Sequence, residues 1–169
     1  MVTEAPIADC FGNVIFCDDV RYEVGSKVSY MGTYRGLIRI QGVAPVALPK
    51  FVFVVRFWQK RGEYVPGLPI WIFLPGDDSN KPSIIAQLPS EPLEQVLENK
   101  ALENLGDPIP YIQTEAHFAF GPLVIPTNGI LKVRALYRDQ LVRLGTLRVE
   151  IVTPQAGDLV TDPQSAPNL

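Results

Sequence analysis

The sequence predicts an all-β protein, an antiparallel β-sandwich with one short helix in a connection. Two observations lead to this fold class. Residues 130–152 alternate between apolar and charged side chains, which buries one face and solvates the other only in an extended strand. Several short apolar segments precede them at regular spacing, punctuated by proline and glycine, and about seven to nine strands are expected. The topology can be immunoglobulin-like, C2-like or jelly-roll, and the sequence leaves this choice open.

The first strand patterns lie near the amino terminus. Residues 14–24 place apolar side chains at most even positions and charged ones at most odd positions, which predicts a strand with one wet face. A glycine-serine pair then predicts a turn. Residues 27–41 continue the alternation, and Gly32 and Gly36 within it indicate a bulge or a bend around the sandwich edge.

The middle of the chain predicts three more strands. Residues 51–58 are apolar on both parities until Arg56, as expected of a central strand. Residues 68–74 are apolar but bracketed by prolines, which confines this segment to an edge position or a strand end. Residues 83–88 form a further short segment, after a loop rich in turn-forming residues.

One helix and the closing strands complete the pattern. Residues 90–106 carry an apolar stripe at helical spacing, with Ser90 as N-cap and Gly106 at the end. We expect this helix to pack on the sandwich; the alternative is an arm that docks in a partner. Residues 112–120 resume alternation, and an Asn-Gly turn leads into the final hairpin. There the apolar parity flips at Gly145, which predicts a bulge.

Length and composition set the boundaries. We expect one domain over residues 1–152 and a flexible tail over residues 153–169, since the tail is rich in proline and small polar residues. A net charge of −3 gives no reason to expect nucleic acid as a partner. The apolar runs are far shorter than the roughly 20 residues of a membrane helix, and no secretory signal is evident. A cytoplasmic protein is expected, with Cys10 and Cys17 as free, buried thiols.

The sharpest local feature is the pair Asp18 and Asp19, followed by Arg21 and Glu23. Asp18 falls on the apolar parity, and a buried carboxylate is costly unless it is paired, so either Asp18 has a partner or the strand is bulged there. A structural network with Arg35, Arg56 or Arg134 is the simpler interpretation. The alternative is a calcium-type site, because C2-like domains gather aspartates from loops at one end and calcium takes six to eight oxygens. Its ligands would be Asp18, Asp19, Asp77 and Asp78.

His117 is the only histidine, and Glu115 lies two residues before it on the same strand face. A histidine beside a carboxylate can act as a general base. The chain shows no nucleophile motif to go with it and no phosphate-binding glycine loop. A solvent-facing strand histidine is therefore the simpler interpretation.

Aromatic residues concentrate in the first half of the chain, and most are expected in the core. Two tryptophans flank the segment between the strands at 51–58 and 68–74. An exposed cluster of tryptophan, tyrosine and arginine is typical of protein or carbohydrate interfaces. The candidate interface residues are Trp58, Arg61, Tyr64 and Trp71.

Three segments carry a resemblance to known proteins: CDDVRYEVGSKVSYMGTYRG, LPKFVFVVRF and GILKVRALYRDQLVRLGTLRVE. They resemble a family of small bacterial proteins of unknown function with a C-D-D-V-R-x-E opening and a closing G-x-L-x-V-R / G-x-L-R-V hairpin. The resemblance covers most of the chain up to residue 152 and transfers no catalytic residues. It implies that the polar residues between Cys17 and Tyr34 form one connected arrangement. These are Cys17, Asp18, Asp19, Arg21, Glu23, Lys27, Ser29, Gly32 and Tyr34.

These observations favour a non-enzymatic binding or assembly module, from a bacterium or a phage, without a cofactor. Its partner is an unknown protein or a second copy of the chain. One alternative is a divalent-metal domain, either a calcium-dependent binder or a metal-dependent hydrolase using the aspartates with Glu115 and His117. Another is a structural subunit of a phage or particle, an analogy at the level of fold.

Overall fold

The structure is a computed structural model, and it describes residues 8–90 and 111–153. These residues form twelve strands and a 3-10 turn at Arg61–Glu63. The strands are β1 (Cys10–Cys17), β2 (Asp19–Glu23), β3 (Lys27–Met31), β4 (Leu37–Gln41), β5 (Val46–Leu48), β6 (Phe51–Lys60), β7 (Pro69–Phe73), β8 (Ile84–Gln87), β9 (Tyr111–Phe120), β10 (Leu123–Ile125), β11 (Gly129–Tyr137) and β12 (Gln140–Val152).

Two sheets form a sandwich, which confirms the predicted all-β fold class. One sheet has the order β1-β6-β9, and the other has the order β4-β12-β11-β7-β8. Two further pairs, β2-β3 and β5-β10, complete the described part of the chain. Every pairing is antiparallel except that of β4 with β12, which is parallel. These two strands are far apart in the sequence, so no short hairpin connection forces them to run in opposite directions.

The main core lies between the two sheets and is built by strand alternation. In β6, Phe51, Phe53, Val55 and Phe57 point toward the five-stranded sheet and are at most 1% exposed. The opposite side of the core comes from β7, β11 and β12, with Ile70, Ile72, Leu131, Val133, Ala135, Leu147 and Val149. Because apolar burial is the dominant favourable term in folding, this layer holds the two sheets together.

A third layer covers the other face of β6. The β2-β3 hairpin lies across the outer face of the three-stranded sheet, and a second apolar cluster fills the space between them. Cys17, Val52 and Val54 are buried there, with Val20 and Tyr30 of the hairpin packed on them. β6 is therefore apolar on both parities because it has a packed layer on each side, as the central-strand prediction required.

The sheets approach closely where β1 crosses β12. A Cβ atom on Gly12 would lie 2.7 Å from the Arg56 carbonyl oxygen and 2.7 Å from Leu144 Cδ2. On the facing strand, a Cβ atom on Gly145 would lie 2.6 Å from Val14 Cγ1. The β11-β12 register shifts at the same place, between Val133 and its neighbour, so the bulge predicted at Gly145 is confirmed.

Several strand predictions hold in outline and differ in detail. The segment at residues 14–24 is two strands, because the chain turns at Asp18 from β1 into the hairpin. Residues 27–41 are likewise split into β3 and β4. β7 lies inside its sheet, between β11 and β8, and Pro69 is tolerated as its first residue. The helix predicted at residues 90–106 and the tail beyond residue 153 lie outside the described residues.

The described residues contain no helix with the length and apolar character needed to cross a membrane. Both cysteines are free thiols, as expected. Cys17 is fully buried, whereas Cys10 is only half-buried, so the prediction of burial is wrong for Cys10.

Gly12→Ala tests the close approach of the two sheets. The added methyl group meets backbone and packed side chains, so we expect a loss of about 1–3 kcal/mol in the free energy of unfolding. Gly62→Ala is the matched control, because nothing lies within 4 Å of a Cβ atom there, and its effect should stay within about 0.5 kcal/mol. Urea unfolding of the two variants beside the wild type gives the answer, and equal effects would show that the sheets do not touch at this point.

Candidate functional site

Five polar and aromatic side chains form a hydrogen-bonded network between the hairpin and the outer face of the three-stranded sheet. This network, called here the hairpin network, consists of Tyr22, Tyr30, Arg56, Glu115 and His117. Strand alternation explains the arrangement, since Arg56 and Glu115 are direct cross-strand partners in β6 and β9. The two tyrosines lie on β2 and β3, on the side of the hairpin that faces the sheet.

Glu115 is the centre of the hairpin network. Its Oε2 accepts a hydrogen bond from Arg56 Nε at 2.6 Å. Its Oε1 accepts one from the Tyr30 hydroxyl at 3.0 Å and lies 2.8 Å from His117 Nε2. Arg56 Nη2 also donates to the Tyr30 hydroxyl at 2.8 Å, which closes a ring of three groups. A carboxylate that is 22% exposed is thus paired on both oxygens.

The electrostatics of the hairpin network follow from this pairing. Burial by itself would raise the pKa of Glu115, but the hydrogen bonds from Arg56, His117 and Tyr30 outweigh it and hold the pKa below the ordinary value of 4.5. The hydrogen bond to Glu115 raises the pKa of Arg56. Burial and the hydrogen bond to Glu115 raise the pKa of Tyr30. Glu115 and Arg56 are therefore charged at neutral pH, and Tyr30 stays protonated.

The second nitrogen of His117 faces Tyr22. The Tyr22 hydroxyl lies 2.6 Å from His117 Nδ1, and the rings are tilted with centroids 5.7 Å apart. The partners assign the tautomer of a neutral ring: Nε2–H donates to Glu115, and Nδ1 accepts from the Tyr22 hydroxyl. The side chain of His117 is 15% exposed because the hairpin covers it. The expectation of a solvent-facing histidine is therefore wrong.

A groove of about 870 Å³ opens beside the hairpin network. Its walls come from the tip of the hairpin, from Gln87 and Pro89 at the end of β8, and from residues 113–118 of β9. Both parities of β9 line it: Glu115 and His117 face the hairpin, whereas Ala116 and Phe118 pack against the main core. A groove that meets both faces of one strand runs along that strand's edge. We call it the β9 groove.

The edge of β9 at this groove is open in the part of the chain that the structure describes. There, β9 pairs with β6 along all ten of its residues and with no other strand. Backbone groups on the far edge of such a strand are available for pairing with another chain. β1, at the opposite end of the sheet, is partly covered, because the Tyr34 amide donates to the Phe16 carbonyl at 2.8 Å.

The predicted cluster around Asp18 and Asp19 lies at the start of the β2-β3 hairpin. Asp18 is the residue between β1 and β2, and Asp19 is the first residue of β2. Asp18 is exposed rather than buried, because the chain turns there, and it accepts a hydrogen bond from the Tyr34 hydroxyl. None of the three arginines predicted as its partners makes that contact; Arg56 bonds to Glu115. Burial and the bond to Asp18 raise the pKa of Tyr34 to about 12.

Asp19 has cationic partners of its own. Lys50 donates a hydrogen bond to it, and Arg21 Nε lies 3.7 Å away. The bond from Lys50 lowers the pKa of Asp19. Glu23, further along the hairpin, accepts a hydrogen bond from Ser29 and lines the β9 groove. The polar residues named from the family resemblance thus make several contacts along one hairpin.

The second aspartate pair serves a turn. Asp77 accepts hydrogen bonds from the amides of Leu74 and Ser83, each at 2.8 Å, and from the Ser83 hydroxyl at 2.7 Å. Asp78 accepts from the Lys81 amide through its carbonyl oxygen at 3.2 Å. No group of three or more His, Cys, Asp or Glu side chains within residues 8–90 and 111–153 is placed to hold a metal ion. The four aspartates proposed as calcium ligands are not brought together.

The predicted aromatic interface is divided between two faces. Trp58 lies on the outer face of the three-stranded sheet, stacked on Phe11 with ring centroids 5.1 Å apart. Trp71 follows Ile70, a core residue of β7. Because successive side chains of a strand point to opposite faces, Trp71 lies on the outer face of the five-stranded sheet. Between them, Tyr64 donates a 3.5 Å hydrogen bond to the Ser90 carbonyl, and Arg61 is exposed in the 3-10 turn. The structure places Phe11, rather than Trp71, beside Trp58, and Tyr111 meets Phe11 edge-on with ring centroids 5.0 Å apart.

Glu115 and His117 were predicted from the sequence as a pair, whereas the two tyrosines of the network were not, and Arg56 was assigned to Asp18 rather than to Glu115. Tyr22 and Tyr30 occupy the apolar parity of β2 and β3, so their pattern indicated core positions. Arg56 interrupts an otherwise apolar strand, and this signal indicates that a partly buried carboxylate faces it.

Comparison of the chain with known proteins found no matching family model, no matching curated protein and no matching solved structure. The site itself therefore carries the functional argument.

Glu115→Gln tests the centre of the hairpin network. The variant keeps the shape but removes the charge that pairs with Arg56, so we expect a loss of about 1–3 kcal/mol in unfolding free energy at pH 7. Because the folded-state pKa of Glu115 is depressed, its contribution is present above pH 4.5 and is lost as the pH falls through the folded-state value. The difference between wild type and variant should therefore shrink below pH 4.5.

Glu150→Gln is the matched control. Glu150 pairs with Arg39 and Arg148, whose side chains are 70% and 69% exposed. Such surface pairs contribute about 0–1 kcal/mol. Denaturant unfolding of both variants across acidic and neutral pH measures the difference, and an equal, pH-independent loss would rule out the role assigned to Glu115.

Proposed function

We propose that the protein is a binding and assembly module that takes up an extended polypeptide strand along the edge of β9 that no described strand covers. The observation that carries the proposal is the β9 groove, because it follows this edge and exposes both faces of the strand. Strand addition of this kind draws affinity from main-chain hydrogen bonds and specificity from pockets for alternate side chains.

The composition of β9 supports this function. Natural edge strands are usually guarded by lysine, proline, a bulge or short length. β9 runs for ten residues, YIQTEAHFAF, without lysine, arginine or proline and in unbroken register with β6. Its one carboxylate, Glu115, is neutralised by Arg56. An incoming strand therefore meets an edge of full length without an uncompensated charge.

The walls of the groove specify what kind of strand fits. On the hairpin side, Tyr22 and Val28 offer apolar contact, while Glu23 and Lys27 supply opposite charges directly across from each other. On the other side, Gln87 and Pro89 border the groove without charge. Alternate side chains of the added strand point to these two walls. The arrangement favours a strand of low net charge with small or apolar side chains.

The occupant is either a partner protein or a second copy of this chain. In a symmetric dimer, β9 would pair antiparallel with β9 of the other copy and join two three-stranded sheets, and two-fold dimers are the commonest assemblies. A partner strand and a second copy of β9 would use the same backbone hydrogen-bonding groups on the edge of β9.

Two measurements test strand uptake. A library of random linear peptides is panned against the intact chain, and selected peptides are labelled and titrated by fluorescence anisotropy. Light scattering over a range of concentrations reports self-association. We expect either enriched peptides of alternating apolar pattern or a concentration-dependent dimer. A strict monomer that enriches no peptide would contradict the proposal.

The double variant Gln113→Lys, Ala119→Lys places two edge-guarding lysines on exposed positions of β9. We expect it to weaken peptide binding or dimerisation by about tenfold or more, which equals about 1.4 kcal/mol. Thr146→Lys, on an exposed position of β12, is the matched control and should leave affinity unchanged. Equal affinities for all three chains would place the binding surface elsewhere.

A further inference from the structure

The contacts of Tyr22 point to a chemical activity that goes beyond strand binding and does not rest on it. Tyr22 is 75% exposed, yet its hydroxyl has a specific partner, His117 Nδ1, at 2.6 Å. His117 Nε2 is in turn 2.8 Å from Glu115 Oε1. A nucleophile within hydrogen-bond reach of a base, with that base oriented by a third group, is the signature of nucleophilic catalysis.

We propose that Tyr22, His117 and Glu115 act as nucleophile, general base and orienting carboxylate in the cleavage of carboxylic esters. The assignment follows from the order of the contacts. Nδ1 of His117 accepts the hydrogen bond from Tyr22, so this nitrogen is free of a proton when the ring is neutral. Glu115 holds the opposite nitrogen in its protonated form and stabilises the imidazolium that forms when Nδ1 gains a proton.

Arg56 and Tyr30 are positioning residues in this scheme. They bond to the carboxylate of Glu115 and fix its orientation, and they make no contact with the Tyr22 hydroxyl. The β9 groove supplies the place for a substrate, since Tyr22, Glu115 and His117 all line it. Lys27 and Gln113 line the same groove, and both carry N–H donors of the kind that stabilise a developing oxyanion.

The reaction has two steps, acylation of Tyr22 and hydrolysis of the acylated tyrosine. The Tyr22 hydroxyl oxygen attacks the ester carbonyl carbon, its proton passes to His117 Nδ1, and the bond to the leaving oxygen breaks as that oxygen takes the proton. The products are an acylated Tyr22 and an alcohol. Water then attacks the acyl carbon and gives its proton to Nδ1; the phenolic oxygen leaves, recovers that proton, and a carboxylic acid is released.

The test uses p-nitrophenyl acetate with the intact chain. Absorbance follows the release of nitrophenol, and tandem mass spectrometry of quenched samples measures acetylation at each tyrosine. We expect Tyr22 to be acetylated about 100-fold faster than Tyr64, because base assistance contributes at least that factor. The hydroxyl of Tyr64 donates a hydrogen bond to the Ser90 carbonyl, and no histidine or carboxylate of the described residues bonds to it. We also expect the steady release of nitrophenol to continue beyond one equivalent per protein chain.

Variants identify the groups responsible. His117→Gln should lower the rate of Tyr22 acetylation by about 100-fold, and Tyr22→Phe should abolish steady release. Tyr64→Phe is the matched control and should leave both rates unchanged. Thermal unfolding of each variant checks that the fold is kept, and the comparison of Tyr22 with Tyr64 within the wild-type chain requires no variant.

Four results would overturn the proposal. One is acetylation of Tyr22 no faster than that of Tyr64. Another is a Tyr22 rate that is unchanged in folded His117→Gln. The other two are release that stops after one equivalent in the wild type and release that continues undiminished in Tyr22→Phe. These results leave the strand-binding test unaffected, because peptide affinity and dimerisation are measured without any ester.

Discussion

The burial of β6 on both faces is the constraint on which the rest of the structure depends. Phe51 to Val55 place apolar side chains alternately on the two faces of the sheet, so one packed layer cannot cover them all. The five-stranded sheet covers one face, and the β2-β3 hairpin covers the other face at Val52 and Val54. At roughly 25 cal/mol per Å² of apolar surface removed from water, a strand of this composition favours two packed layers over one. The turn at Asp18 follows from this requirement, because it carries the hairpin across the sheet.

The hairpin network forms where this apolar coverage ends. Arg56 is the first charged residue of β6, and it lies at the margin of the hairpin, where burial is partial and water is near. A charge in that position needs a partner, and the cross-strand Glu115 supplies it. His117 and the two tyrosines then satisfy the remaining hydrogen-bonding capacity of the carboxylate. The proposed strand-binding groove and the proposed nucleophile both lie on this boundary between a dry and a wet region.

Much of the fold could be predicted from the sequence, and less of the site. The pattern of apolar and polar residues predicted the final hairpin, its bulge at Gly145 and the burial of β6 on both faces. These features depend only on the local spacing of apolar residues. A bulge at Asp18 was one predicted alternative to a paired buried charge, but the turn that divides residues 14–24 into β1 and β2 was not predicted. Tyr22 and His117 are 95 residues apart and meet only through the tertiary fold. Their contact has no local signal, and neither does the parallel pairing of β4 with β12.

The position of Cys17 gives the hairpin a built-in reporter. Its thiol is fully buried in the small cluster beneath the hairpin, and that burial raises its pKa. Among the described residues, this layer is attached by a small apolar cluster, the hairpin network and the bond from Lys50 to Asp19, whereas the sandwich is held by the main core. Layers with few apolar contacts open locally at lower free energy than the whole molecule unfolds. The rate at which a thiol reagent labels Cys17 thus reads out how often the third layer lifts from an otherwise intact sandwich.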